Sequence, residues 1–330
     1  MSDHLGPVWD ALRAAKRTEA RALQGALPAP WNDVAAALID LDVGRRPTLA
    51  FDTLTTWQAA LITAHQQAEA PSQEGWFGQA MRWAEDDDLA QYEVALARGR
   101  CRHERRAYGP ALADAKLARE LARRAHHPGR EAWALSLAGA ALVEQRDYAR
   151  ARAVHEAAHA LHTAAGQPGG EVAALGGLGL CAIGRHETAR GAESLHRAVA
   201  LARTHDLEPE ERAWLACVAH AMGLLDRNDA RRDALVRLAE LERRADAPLR
   251  AAAAWIDAAT AATAILALDD AEAALQHAAA CYVERGHDPG LQDVERRLAS
   301  LSTLREGLPA RRARWTQAIT LRAPPSPPEA

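Results

Sequence analysis

A short run of histidines around a glutamate is the most specific chemical feature of the sequence. Residues 155–159 read H-E-A-A-H on a predicted helix. In zinc peptidases this spacing places two imidazoles on one helix face, here His155 and His159, and the glutamate acts as general base toward a metal-bound water. His162 continues the same face, and either Glu193 or His196 in the next repeat would supply a third ligand. A zinc-dependent hydrolase is therefore one hypothesis.

A structural interpretation of the same segment is favoured over a metal site. The chain contains 14 histidines, so a match to so short a pattern also arises by chance. The segment falls on the second helix of a repeat described below, where neighbouring helices leave no closed cleft around the imidazoles. A surface metal is easier to accommodate there than a catalytic one.

The remaining reactive residues form no recognisable catalytic set. Three glycines within 176–179 lack the preceding strand and the following lysine that a phosphate-binding loop needs. No G-x-S-x-G motif, Cys-His pairing or kinase signature occurs. The cysteines are far apart, without a C-x-x-C pair, which favours reduced thiols in a cytosolic protein; they are Cys101, Cys181, Cys217 and Cys281. We expect no catalysis and no cofactor.

The composition restricts the fold class and the kind of partner. Hydrophobic residues make up 48% of the 330 positions, whereas aromatic residues make up only 5%. Abundant alanine with few β-branched residues favours an all-α fold packed through small side chains. A net charge of -4 gives no field that would draw the chain onto nucleic acid or an anionic membrane. Without a signal peptide or a spanning segment, a cytoplasmic location is expected.

Helix-length segments alternate with short breakers from about residue 91 onward. Proline-containing breakers bound intervals with room for two helices, and each interval has a tighter turn in its middle, which indicates helical hairpins. The tighter turns overlay on one another and end at Ala111, Ala151, Ala189, Asp233 and Ala274. Their spacings of 40, 38, 44 and 41 residues indicate an internal repeat.

Two features recur within these hairpins and predict antiparallel helix pairs. A small residue stands nine positions before the turn, where it lets the paired helices approach closely: Gly99, Gly139, Gly177, Ala221 and Ala262. An aspartate in the turn is placed to cap the second helix by accepting from its free N–H groups: Asp147, Asp229 and Asp270.

One hairpin carries a family resemblance. A small residue in the first helix, Asp-Tyr in the turn and alanines after it are similar to the tetratricopeptide repeat: Gly139, Asp147, Tyr148, Ala151 and Ala158. The resemblance is best over residues 130–166 and extends over roughly 91–285. It implies an all-α, right-handed solenoid of antiparallel helix pairs. The repeat exceeds the usual period of about 34 residues, which longer helices would explain, although HEAT-like helix pairs share the observed length.

The repeat region sets the expected domain organisation. Residues 91–306 are assigned to tetratricopeptide-like repeats and 1–90 to an N-terminal helical cap or degenerate repeats, because a solenoid must cover its exposed end. A breaker at 307–309 separates a C-terminal capping helix over 307–322. The proline-rich residues 323–330 cannot form a helix and are predicted to be a disordered tail.

The resemblance also implies a binding surface. In tetratricopeptide solenoids the first helices of successive hairpins line a concave groove, and their outward positions select the ligand. Carried onto this chain, those positions include Glu93, Arg100, His103, Trp133, Glu144, Glu171 and Cys181. Trp133, with Trp214 and Trp255 near corresponding helix starts, either anchors a ligand in this groove or seals one hairpin against the next.

Three functional hypotheses follow from these features. The leading one is an interaction scaffold or sensor that binds a protein or peptide partner without catalysis. The second is a regulator of the bacterial tetratricopeptide type, in which ligand binding modulates a partner in transcription or signalling. The third is the zinc hydrolase built on His155, His159 and Glu193. A homodimer is compatible with each.

Overall fold

The structure is a computed structural model that describes the backbone of residue 22 and of residues 88–322, with side chains up to residue 310 except residue 90. Over residues 88–322 the chain forms helices and no strand, which confirms the predicted all-α class. In chain order they are α1 (Asp88–Glu104), α2 (Tyr108–Arg124), α3 (Pro128–Glu144), α4 (Tyr148–Ala164), α5 (Pro168–Gly184), α6 (Thr188–Thr204), α7 (Glu208–Leu224), α8 (Asn228–Arg244), α9 (Pro248–Ala264), α10 (Leu268–Glu284) and α11 (Asp288–Arg322).

The helices follow a regular period. Helices α1 to α10 each contain 17 residues, and three residues connect each one to the next. The even-numbered helices from α2 to α10 begin at residues 108, 148, 188, 228 and 268, so the hairpins repeat every 40 residues. The turns overlaid in the sequence were therefore misplaced: the last three of the five were shifted by two or three residues, which made their spacing uneven.

The turns maintain this period through one backbone conformation. The second residue after each helix has a φ between 51° and 65°: Arg106, His126, Arg146, Gly166, His186, Asp206, Asp226, Asp246, Leu266 and Gly286. In the α2–α3 turn, the His127 N–H donates to the Ala122 carbonyl over 2.9 Å and the His126 N–H donates to the Arg123 carbonyl over 3.0 Å. This Schellman pair satisfies carbonyls that the helix end leaves free.

The helix starts differ between the two members of each hairpin. Odd-numbered helices from α3 to α11 carry proline in the first turn, where no N–H is needed: Pro128, Pro168, Pro209, Pro248 and Pro289. Asp147 caps α4 as predicted, because its Oδ1 accepts from the Arg150 N–H over 3.2 Å. Asp229 and Asp270 lie inside the first turns of α8 and α10 instead of at the caps, so those two predictions are wrong.

The chain divides into two compact units, Met1–Arg185 and His186–Ala330. In the described part of the first unit, α1 to α5 pack in chain order, and α3 also contacts both α1 and α5. Tyr92, Leu96 and Leu121 fill the core between α1, α2 and α3, surrounded by buried alanines. Alanine lets the helix axes approach closely, and this places the odd-numbered helices side by side.

In the second unit, α6 to α11 also pack in chain order. A buried carboxylate joins the first three of these helices: Glu211 on α7 accepts from the Nε of Arg203 on α6 and of Arg237 on α8, each over 2.9 Å. Burial raises the pKa of Glu211, but the hydrogen bonds from the two arginines outweigh burial and hold the pKa below its ordinary value. The carboxylate therefore stays ionised in the core.

The last helix departs from the predicted boundaries. Helix α11 is continuous over 35 residues and contains Pro309, so the predicted break at 307–309 is wrong. Arg305 fastens the middle of α11 to α10, with its guanidinium 2.6 Å from the Asp269 carboxylate and 2.8 Å from the Glu272 carboxylate. Of the predicted N-terminal cap, 1–90, the structure describes only residue 22 and residues 88–90, which begin α1. The predicted proline-rich tail, 323–330, lies outside the described residues. Over the described part of the chain, no helix is both long and apolar enough to cross a membrane.

Candidate binding face on the odd-numbered helices

A stripe of half-buried residues runs along the odd-numbered helices of the first unit. On α3, Trp133, Ser136 and Ala140 are three and four residues apart and therefore share one helix face. Corresponding positions on the flanking helices are also half-buried. We define these residues as the odd-helix face: Arg100 on α1, Trp133, Ser136 and Ala140 on α3, and Ala173 and Leu180 on α5.

Trp133 is held between side chains from two neighbouring helices. The Arg100 guanidinium carbon lies 5.9 Å from the centroid of its ring, a cation–π distance. The His162 imidazole meets the indole edge-on, with centroids 4.9 Å apart and an interplanar angle of 72°. Both contacts fix the ring plane while the side chain remains half-buried. The indole is therefore oriented before any ligand arrives.

His162 is in turn held by hydrogen bonds at both ring nitrogens. The Ser136 Oγ lies 3.1 Å from Nε2, and the Gln167 Oε1 lies 2.9 Å from Nδ1. Burial lowers the pKa of His162, and the bond to Gln167 opposes that shift. A neutral ring whose Nδ1–H donates to Gln167 satisfies both bonds. His162, with no exposed surface, thus ties α3, α4 and the start of α5 together behind Trp133.

Two of the predicted groove positions lie in the interior. Glu93 is 3% exposed, and its Oε1 lies 3.0 Å from the Arg130 Nε. Cys181 has no exposed surface and packs with Leu142 and Ala151. Burial raises the pKa of the Cys181 thiol to about 11, so it remains protonated. Neither side chain reaches a ligand on this face.

Three further predicted positions, His103, Glu144 and Glu171, lie near helix ends. His103 meets the Tyr108 ring edge-on, with centroids 5.4 Å apart, and the Tyr108 hydroxyl donates to the Glu144 carboxylate over 3.2 Å. The structure therefore brings His103 and Glu144 to either side of one tyrosine. Glu171 is half-buried on the first turn of α5, where its charge opposes the lowering of the His162 pKa by burial.

The histidines of the H-E-A-A-H segment do not form a shared metal site. The His155 imidazole is buried between Gly139 on α3 and Gly177 on α5, and burial lowers its pKa to about 4. His159 is half-buried on the same helix, whereas Glu193 is exposed on α6 in the other unit. The described side chains contain no group of three or more metal-ligating residues. Nothing here supports the zinc hydrolase.

Stacked antiparallel helix pairs of one repeating length define the class of the protein: a tetratricopeptide-like α-solenoid, as the sequence predicted. No protein-family model matches the sequence, and no curated protein matches it either. Solved structures share the fold. A Rap protein complexed with Competence and Sporulation Factor aligns with a TM-score of 0.56 at 12% identity, covering 91% of this chain and 96% of that one.

Two further structures agree with that result. Aspartyl phosphate phosphatase F from Bacillus subtilis aligns with a TM-score of 0.56 at 13% identity, covering 92% of this chain and 94% of its own. The apo form of RapI aligns with a TM-score of 0.52 at 10% identity, covering 76% of this chain and 97% of its own. At these identities the similarity concerns the fold.

Proposed function

We propose that this protein is a regulatory binding protein that holds a peptide, or a segment of a partner protein, on the odd-helix face. The observation that carries the proposal is the half-buried Trp133, oriented in advance by Arg100 and His162. An aromatic ring that is already ordered loses little entropy on binding, and such residues dominate the energy of many interfaces.

The chemistry of the face suggests what the segment looks like. Ala140 and Ala173 are small and allow a peptide backbone to approach the helices, while Leu180 adds apolar surface. Arg100 places positive charge beside the Trp133 ring, which favours a negatively charged group nearby. The expected ligand places an apolar side chain on Trp133 and an acidic residue or a chain end near Arg100.

The regulatory part of the proposal draws support from a protein of the same fold. A Rap protein has been crystallised in complex with Competence and Sporulation Factor, so a protein of this fold is able to bind such a factor. By analogy, a ligand on this chain would modulate a protein partner. We place this action in the cytoplasm, where the four free cysteines would stay reduced.

We further propose that the described part of the chain acts without catalysis, although one protein of the same fold is named a phosphatase. Each buried carboxylate over residues 88–310 is ion-paired with arginine: Glu93 with Arg130, Asp114 with Arg98 and Arg102, Glu211 with Arg203 and Arg237, and Glu242 with Arg212 and Arg250. Paired in this way, they are poor general bases.

Selection from a library of random peptides tests the binding function. Peptides retained by the full chain should bind Trp133→Ala at least about tenfold more weakly, which corresponds to the loss of one interface anchor. Trp214→Ala, which removes a half-buried tryptophan of α7 in the other unit, is the matched control and should bind normally. Failure to select any peptide, or equal loss in both variants, would argue against the proposal.

A further inference from the structure

A second candidate site lies in the second unit, between the even-numbered helices. A pocket of about 410 Å³ opens between α8 and α10, and its lining includes Trp255 and Ala258 from α9. Ligand pockets for small molecules usually begin at about 300 Å³. The pocket contains no residue of the odd-helix face, so a ligand there would bind independently of the proposed peptide.

Two differences at equivalent positions of the first and second units explain why the pocket is open. Helices α8 to α10 correspond to α2 to α4 with an offset of 120 residues. At the corresponding place in the first unit, Leu112 and Val154 pack against a buried cluster. In the second unit these positions are Arg232 and Ala274, and both line the pocket. A smaller side chain on α10 and a polar one on α8 therefore leave space that the first unit fills.

Trp255, which lines this pocket, has an unused hydrogen-bond donor. The side chain is 8% exposed, and its Nε1 is buried with no hydrogen-bond partner among the described residues. The corresponding positions of α3, α5 and α7 hold buried leucines that have no donor: Leu135, Leu175 and Leu215. Buried indole N–H groups normally find an acceptor. An unsatisfied donor on a side chain that lines the pocket favours a ligand that accepts a hydrogen bond.

The charged groups around the pocket are already engaged in ion pairs within the protein. Arg232 bonds to Asp270 across the pocket over 2.8 Å and also to Asp233. Arg237 is held by Glu211 and lies 3.8 Å from Glu240. His277 stacks on the Trp255 indole, with centroids 4.6 Å apart and an interplanar angle of 28°. A charged ligand would have to break these pairs, whereas a neutral one would not.

We propose that this pocket binds a small neutral molecule that carries one hydrogen-bond acceptor, such as an amide or ester carbonyl, on an apolar body. The carbonyl accepts from the Trp255 Nε1–H. The apolar body lies against Val236, Ala258 and Ala274, which line the pocket.

Three probes that share a cyclohexyl ring test the ligand class on the full chain. They are the neutral N-cyclohexylacetamide, the anion of cyclohexylacetic acid and the cation cyclohexylmethylammonium. The indole N–H resonance of Trp255, assigned by its loss in Trp255→Phe, reports binding in a two-dimensional NMR spectrum. The neutral amide should shift this resonance downfield and saturably, and the two ions should bind roughly tenfold or more weakly. Absence of any saturable shift, or equal binding of an ion, overturns the proposal.

Variants that fill the pocket test whether the amide binds there. Ala274→Val restores the side chain found at Val154 and should abolish the shift. Ala273→Leu narrows the pocket from an exposed lining position and should weaken the amide at least about tenfold, which covers the case in which Ala274→Val unfolds. Ala153→Val, the matched change at an exposed position of α4, should leave binding unchanged. Normal binding by folded Ala273→Leu would contradict the assignment.

Discussion

The imidazole of His155 occupies the space that a side chain at Gly139 would fill. The histidine belongs to α4 and the glycine to α3, so the contact joins the two helices of one hairpin. Gly177 on α5 borders the same ring, which makes His155 the point where three helices meet. The glycines are therefore needed for packing, and the histidine of the H-E-A-A-H segment is a core residue.

Gly139→Ala should destabilise the fold. A Cβ at this position would overlap the His155 ring, and such overpacking costs typically about 1–3 kcal/mol, more than the gain of about 1 kcal/mol in helix propensity. The free energy of unfolding in urea measures the change. Gly223→Ala is the control, because its Cβ would make only ordinary contacts with Arg231, and it should stabilise the protein.

A double variant separates the contact from other effects of the substitution. In a His155→Ala background, Gly139→Ala should cost nothing or become stabilising, since the ring that it strikes is absent. An equal cost in both backgrounds would show that Gly139 is not required to accommodate His155.

The stability of the protein should fall as the pH drops from about 6.5 to about 4. The pKa of His155 is lowered by burial to about 4, whereas a histidine in an unfolded chain has a pKa of about 6.5. Between these values the unfolded state binds the proton and the folded state does not, so the stabilisation is complete above about pH 6.5 and declines below it. The full loss from this residue approaches about 3 kcal/mol.

His155→Gln isolates this contribution. The slope of the unfolding free energy against pH between 4 and 6.5 should become markedly smaller, and the remainder includes His162 and His127, whose pKa values burial also lowers. Ala157→Gln, at an exposed position on the same helix that carries no titratable group, should keep the slope of the unchanged chain. Identical slopes for all three proteins would refute the buried, neutral state of His155.

Leu266→Gly should stabilise the second unit by about 1 kcal/mol. Leu266 adopts a φ of 60° and is 56% exposed, so it bears the cost of the left-handed conformation while burying little surface. Gly286 occupies the equivalent turn position with the same φ of 60°, and nothing lies near its Cβ direction. Gly286→Leu should therefore destabilise by a similar amount. Thermal unfolding of both variants checks the pair, and a loss of stability in Leu266→Gly would contradict the turn geometry.

The class of fold was predictable from the sequence, and the register was not. Alanine-rich helical hairpins, with a proline near most starts, identify stacked helix pairs without coordinates. Helix ends were harder to locate, because glycine stands at only two of the ten left-handed turn positions. The others are arginine, histidine, aspartate or leucine, which give no signal of a helix end in a sequence.

That loss of register explains why Cys181 was misplaced, whereas Glu93, in the correct register on α1, is buried with its ion-pair partner Arg130. Counting from Gly177 selected Cys181 as a groove position, whereas the 40-residue period aligns Gly139 with Gly179 and selects Ile183 instead. Trp133 and Arg100 were predicted on helices where the register was correct, and the structure brings these two together. The support of Trp133 by His162 was missed, because it depends on a contact between helices that spacing along one helix does not reveal.

The most direct test of the proposed function is to locate a bound peptide. A photoreactive benzoylphenylalanine at Ala140, on the odd-helix face, should crosslink a peptide selected by the unmodified chain. The same group at Ala153, exposed on α4, should not. Crosslinking at position 140 that disappears when Trp133 is changed to alanine is the predicted result; crosslinking at position 153, or none at 140, would contradict binding on this face.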